Sequence, residues 1–373
     1  METSKKIYAF LIIITVVILL IYVQSIIIPF IVAMLFWVII RVVKKILLKI
    51  KLIRSCPNWL LTVISSMLLF GLLVLTIKII TANIQQISGA LPVYEKNVNV
   101  ITQHINEHFN IDLYEVISDF AAGFSLGEIL PLLFSALSGI FGKTFTILLY
   151  LVFILLEEPV FSQKIKAMYP NPQKYESVTG LISKIDKSIG DYIALKTLVS
   201  LLTGFLSYFV LLFIGVDAPF FWSFLIFILN FIPNIGSLIA TLFPTIFAVL
   251  QFGEFMPGIL VLTIVGTVQI ICGSFVEPRL MGNTLNISPL VVLLTLTVWG
   301  VMWGIIGMLL SVPITVILII IMSEFKETRP FAILLSQKGS INEKTESPSP
   351  TLSKGEGDCS PPSDGLGEAI ANN

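Results

Sequence analysis

Residues 230–239 read NFIPNIGSLI. Two carboxamides, Asn230 and Asn234, stand one helical turn apart, with Pro233, Gly236 and Ser237 beside them. Amides and hydroxyls hold neutral polar solutes by hydrogen bonding; they supply neither a strong base nor a metal-ligating set. Proline removes a backbone donor and glycine frees the backbone, so the same ten residues also break a helix. Thr241, Gln269 and Ser274 extend this neutral polar set. Asparagines that merely glue neighbouring helices are the alternative. A second constellation, Glu277, Pro278 and Arg279 with Gly282, puts opposite charges around a turn. It reads either as a structural pair, bonded internally or to lipid phosphate, or as a gate on inward access to the polar residues.

Other motifs carry less. GIFGKT at 139–144 imitates the end of a phosphate-binding loop, but Leu137 stands where that pattern needs glycine and no strand precedes it, which argues against ATP. His104 and His108 share a helix face without a third ligand, and no HExxH occurs, so a zinc site or metalloprotease is not expected. Cys56, Cys272 and Cys359 are scattered, with no redox or metal spacing. The sequence predicts no cofactor and no enzyme.

The elements that must position these residues are apolar. Of 373 residues, 56% are hydrophobic and 12% charged, and the formal net charge is zero. A soluble chain carries about 25% charged residues. Runs of 18 or more nearly uncharged residues recur, each long enough for a hydrocarbon core of ~30 Å. The expectation is an all-α polytopic membrane protein: eight hydrophobic segments arranged as about six crossings plus two re-entrant helical hairpins. Zero net charge gives no indication of nucleic acid as a partner; membrane lipid and a small polar solute are the expected ones. The first apolar run lacks a small-x-small cleavage site and reads as an uncleaved span.

Sided charge orients the spans. Arg41, Lys44, Lys45, Lys49, Lys51 and Arg54 mark one loop as cytoplasmic, and Lys164 to Lys187 mark another within 159–196. Acidic residues dominate 81–140, which reads as an external region of amphipathic helices. Val178, Leu181, Ile182, Ile185, Ile189 and Ile193 form a helical stripe, packed on protein or lying in the interface. Both termini fall inside.

Two segments are overlong. The run 218–252 would exceed one span as a single helix, yet each half beyond Pro233 is too short to cross. The run 286–325 breaks at Gly300, Gly304 and Gly307, with Pro313 beyond. Hairpins entering from opposite faces satisfy both lengths and the basic flank at Lys326 and Arg329; an ordinary eight-span topology is the alternative. IGSLIATLFPTI and IGMLLSVPIT echo each other, and paired broken segments point to a midplane site in secondary transporters. The expected pathway comprises Asn230, Pro233, Asn234, Gly236, Ser237, Gln269, Gly304, Gly307 and Pro313, without intramembrane charge.

NFIPNIGSLIATLFP, FVEPRLMGNTLNISPLVVLLTLTVWG and GIIGMLLSVPITVIL resemble the autoinducer-2 exporter family of bacterial membrane proteins, as do PFIVAMLFWVI, LEEP and DYIALKTLVSLLTG, from residue 7 to about 335. The resemblance implies a homo-oligomeric inner-membrane transporter moving a small polar signal outward, and the likeness is nearest to the branch exporting autoinducer-2. Two competing expectations are a sodium–proton antiporter on the same scaffold and a non-transporting membrane organiser. The transporter domain is placed at 1–337, and the Ser-, Pro- and Gly-rich residues 338–373 read as a disordered cytoplasmic tail.

Overall fold

In lipid every backbone amide and carbonyl must find its partner within the protein, and long continuous Leu/Ile/Phe runs do so by closing into helices. The structure, a computed structural model, describes residues 2–49, 57–109, 143–281, 286–337 and 339. All the regular elements among them are helices, with no strand. The chain is an all-α polytopic membrane protein: seven helical stretches are long and apolar enough to cross a bilayer. Their outward faces carry bare apolar side chains, with Phe213 and Val301 each 84% exposed. Only a hydrocarbon solvent removes the cost of such a surface.

α1 (Glu2–Tyr22) and α2 (Gln24–Leu47) are followed by α3 (Asn58–Phe109), a single 52-residue helix of about 78 Å. Residues 81–109 of the expected external region therefore continue a spanning helix; residues 110–140 lie outside the described part. α4 (Thr144–Met168) runs through Pro159. α5 (Pro172–Ile214) starts on a capped turn, Asn171 Oδ1 accepting from the Gln173 amide at 3.0 Å with Pro172 at the first helical position. It ends at Gly215 in the left-handed conformation. The apolar stripe of α5 is packed on protein: Leu181, Ile185, Ile189 and Ile193 meet Val38, Val312, Val316 and Ile319.

α6 (Pro219–Leu229) and α7 (Ile235–Phe252) double back on each other. Their free ends are stitched together: Gln251 donates to the Gly215 carbonyl at 2.8 Å and accepts from the Asp217 amide at 2.7 Å. The turn falls at Asn234, whose φ of +59° and ψ of −58°, with the Ile235 amide donating to the Pro233 carbonyl at 2.6 Å, make a tight γ-turn. Gly236 was expected to make that turn; instead it lies inside α7, and its role is proximity. A Cβ there would meet the Leu229 carbonyl oxygen at 1.9 Å.

α8 (Phe255–Ile270) packs along α7 and continues through a π-helical turn, Ile271–Val276, into α9 (Glu277–Met281). α10 (Pro289–Glu324) is two helices joined at Gly304, whose φ of +64° and ψ of −145° belong to glycine alone. Its arms also double back, since a Cβ on Gly307 would meet the Trp299 carbonyl oxygen at 1.9 Å. Gly236 and Gly307 are the glycines aligned by the sequence echo, so the echo has a physical content: each admits the backbone of the opposite arm. α11 (Arg329–Leu335) closes the base, where the Ser288 amide donates to the Leu335 carbonyl.

Buried small residues on α5, namely Ser200, Thr203, Gly204 and Ser207, form the face on which α6 rests. A Cβ at Gly204 would stand 3.0 Å from the Ser223 carbonyl, so the two backbones approach closely. The first hairpin is thus held between α5 and α8 around a core of Phe221, Trp222, Ile226, Phe247, Ala248, Val261 and Val265. Leu296 of the second hairpin belongs to the same core. The tip of the second hairpin is tied to α1, Trp303 Nε1 donating to the Leu20 carbonyl at 3.1 Å.

Candidate functional site

The turn of the first hairpin faces a cleft of about 660 Å³. Asn230, Pro233, Asn234, Ser237 and Thr241 line it from the hairpin, Thr263, Gly266, Thr267 and Gln269 from α8, and Gly273 and Ser274 from the π turn. Lys196 of α5 and Glu277 of α9 add charge, and Ile232, Leu238, Leu242, Leu262 and Ile270 supply apolar wall between these groups. Asn230 is 7% exposed and donates to Ser200 Oγ at 3.1 Å, which ties the end of α6 to α5.

Three of the five hydroxyls on this cleft already spend their protons, while Thr263 and Ser274 donate to no described residue. Ser237 donates to the Asn234 carbonyl at 2.9 Å, Thr241 to that of Ser237 at 2.9 Å, and Thr267 to that of Thr263 at 2.6 Å. Each oxygen keeps lone pairs, so these side chains are acceptors. Gln269 supplies the opposite function. It is 7% exposed, and its Nε2 is buried without a partner. An amide hidden from water without a hydrogen bond costs about 1–3 kcal/mol, and such a group in a native structure calls for an explanation. Gln269 lines a cavity with room for a solute, and a rotation of its carboxamide is what would bring this amide onto it.

At one end of the cleft Lys196 Nζ donates to Glu277 Oε1 at 2.6 Å, with 4% of the lysine side chain exposed and 22% of the glutamate's. The π turn explains how Glu277 arrives there. Eight residues of regular helix would leave it about 80° around the axis from Gln269; one extra residue in the turn brings that to about 20°. The cleft is therefore charged at one end, contrary to the expectation of a wholly uncharged pocket. Lys196 escaped the sequence reading because it follows a basic loop. Its spacing with Tyr192, Ser200, Thr203 and Ser207, all buried on one face of α5, is the signal that would have found it.

Of the anticipated residues, Asn230, Pro233, Asn234, Ser237 and Gln269 come together, with Gly236 behind them in the hairpin packing. Gly304, Gly307 and Pro313 are not on the cleft; they shape the second hairpin, and Pro313 is buried within it. Glu277 pairs with Lys196 and not with its neighbour Arg279, which is exposed, as is Pro278. Gly282 lies outside the described residues. His104 and His108 stand on α3 with side chains outside the description, and among the described residues no group of three or more potential metal ligands occurs.

On the side of the hairpin's free ends, Tyr94 donates to Asp217 Oδ2 at 2.7 Å, and Asn97 donates to the carbonyls of Leu250 and Gln251. Burial, then the hydrogen bond and charge of Asp217, pushes the Tyr94 phenol well above the ordinary tyrosine value. The distal half of α3 thus clamps the open end of the first hairpin while the cleft lies at its turn.

The family model for AI-2E family transporters matches residues 8–327. TqsA of Escherichia coli strain K12, described as an AI-2 transport protein, is 32% identical over 323 residues, covering 84% of this chain and 90% of TqsA. A Borreliella burgdorferi protein whose description assigns it to transport is 35% identical over 249 residues, covering 66% of this chain and 67% of that protein. YhhT of Escherichia coli strain K12, also described in terms of transport, is 37% identical over 203 residues, 54% of this chain and 57% of YhhT. These relatives are transport proteins and not enzymes, and the match runs through both broken segments and the cleft. The chain belongs to the AI-2E family of transporters.

Proposed function

We propose that the chain exports a small, uncharged, hydroxyl-rich signal, autoinducer-2 being the first cargo to test, across the bacterial inner membrane. The observation carrying this reading is the cleft at the first hairpin turn. Ser237, Thr241 and Thr267 offer hydroxyl oxygens as acceptors, Gln269 carries an unpartnered amide, and the one ammonium on the lining is spent on Glu277. A solute rich in hydroxyl groups, each able to donate and to accept, complements that inventory. TqsA, with its AI-2 description, supports the cargo.

In this reading the two hairpins are re-entrant, from opposite faces, with both termini cytoplasmic. The basic last turn of α2, with Lys44 and Lys45, and Arg329 beside the base of the second hairpin support that orientation. Solute is released as the first hairpin and α8 shift together against α2–α4, in an assembly of identical subunits. Reconstitution into liposomes tests the function: labelled autoinducer-2 crosses under an imposed ion gradient and is lost with Asn230→Leu or Gln269→Leu. Absence of flux in the unaltered protein under proton, sodium and solute gradients rejects the reading.

A second reading, sodium–proton antiport, draws on the buried Lys196–Glu277 pair, since ionisable groups at such depth mark ion pathways. Everted vesicles decide between them. A sodium-driven pH signal without added solute favours antiport.

A further inference from the structure

Glu277 has one carboxylate oxygen engaged and one to spare. Oε1 accepts from Lys196, and no hydrogen bond to Oε2 occurs among the described residues. The lysine is almost wholly hidden, while the glutamate keeps part of its surface on the cleft. Lys196 therefore neutralises the carboxylate and fixes its plane, and the remaining oxygen is a charge-assisted acceptor pointing no protein donor at itself. The π turn sets Glu277 on the same side of the rod as Gln269, whose Nε2 is the complementary buried donor.

A carboxylate oxygen can accept two hydrogen bonds, so Oε1 keeps a lone pair beside Lys196 and Oε2 keeps both; the neutral group that matches the two oxygens together is a pair of adjacent hydroxyls. Each hydroxyl gives its proton and keeps a lone pair to receive the Gln269 amide or the Lys196 ammonium. We propose that Glu277, held by Lys196, is the specificity-determining group of the cleft and reads a vicinal diol. This inference rests on the cleft being the solute site. It goes further in assigning the class of solute, a neutral polyhydroxylated molecule with adjacent hydroxyls, and in giving Glu277 a recognition role where a turn or gate was anticipated. A monodeoxy analogue leaves the glutamate oxygen dry and unpaired, which is the stronger form of discrimination.

The experiment uses the full chain in liposomes, measuring counterflow of labelled autoinducer-2 with ribose and 2-deoxyribose as competitors. Ribose should compete better than 2-deoxyribose by about tenfold or more, the factor for one hydrogen bond to a charged group. Glu277→Gln should raise KM by about ten- to hundredfold with kcat changed by less than about threefold, and should erase the difference between the two sugars. The exchanged pair Lys196→Glu/Glu277→Lys keeps the bridge but moves the carboxylate to α5, so recognition should stay lost. Should the exchange fold poorly, Glu277→Asp keeps the charge for Lys196 while withdrawing it by one methylene, and should give an intermediate KM with the same loss of discrimination. Recovery of wild-type KM and sugar discrimination in the exchanged pair, or their retention in Glu277→Gln or Glu277→Asp, overturns the proposal and leaves the pair structural. Wild-type protein that carries autoinducer-2 but ranks the sugars equally also overturns it. Absence of any wild-type counterflow would instead bring down the transport reading on which it rests.

Discussion

Gln269 and Lys196 place function and stability in opposition. The buried, unpartnered amide of Gln269 weakens the fold, so Gln269→Leu should raise stability by about 1 kcal/mol while reducing solute flux. Thermal unfolding in detergent beside liposome flux measures both, and a destabilised leucine variant would mean that the amide already has a structural partner. Lys196→Met leaves the Glu277 carboxylate without its counter-ion and should cost about 3–5 kcal/mol. The neutral double variant Lys196→Met/Glu277→Gln should recover most of that loss, because an apolar or uncharged replacement no longer strands a charge. Denaturation midpoints for the two proteins check the sign.

Two glycines decide whether the hairpins close. Gly236→Ala and Gly307→Ala each drive a methyl into a backbone carbonyl, at Leu229 and Trp299, and neither carbonyl can move without opening its turn. Each should destabilise by about 1–3 kcal/mol, the usual range for overpacking. Gly273→Ala is the control, since a Cβ there meets nothing within 4 Å; in a helical setting it should be neutral or stabilising. A melting series in detergent distinguishes them, and equal melting of all three would remove the close-approach account. The paired glycines were visible in the sequence as a short echo, but their task was not. Sequence spacing suggested that Gly236 makes the turn, whereas the positive φ falls on Asn234 and Gly236, two residues later, makes the close contact with the Leu229 carbonyl.

Across the whole molecule, the distal half of the long α3 is coupled to the first hairpin through Tyr94, Asn97 and Asp217. Tyr94→Phe should lower stability by about 1–2 kcal/mol through loss of a hydrogen bond to a charged group. The folded phenol is held protonated above its unfolded value, so its contribution is complete below about pH 10 and declines as pH rises beyond that, toward the folded value. Unfolding measured from pH 8 to 11 should show a downward slope in the parent that is shallower in Tyr94→Phe. Topology has its own test. In a background free of the native cysteines, a cysteine at Glu254 should react with an impermeant reagent from outside, as the re-entrant reading requires.

Composition and hydropathy alone determined that this chain lives in a bilayer and is helical, because lipid leaves the backbone no other partner. They also exposed the broken segment at 230–239, since proline, glycine and paired asparagine are costly inside an apolar run. The stripe on α5 was legible as a buried face, although whether lipid or protein covered it was settled only by packing against α2 and α10. What periodicity could not deliver was Glu277. A regular 3.6-residue repeat points it away from Gln269, and the π turn that brings it back is a backbone distortion stabilised by tertiary contacts and a lysine 81 residues earlier. Local sequence thus chose the helices and their interruptions; the charge in the cleft arose only when helices distant in sequence came together.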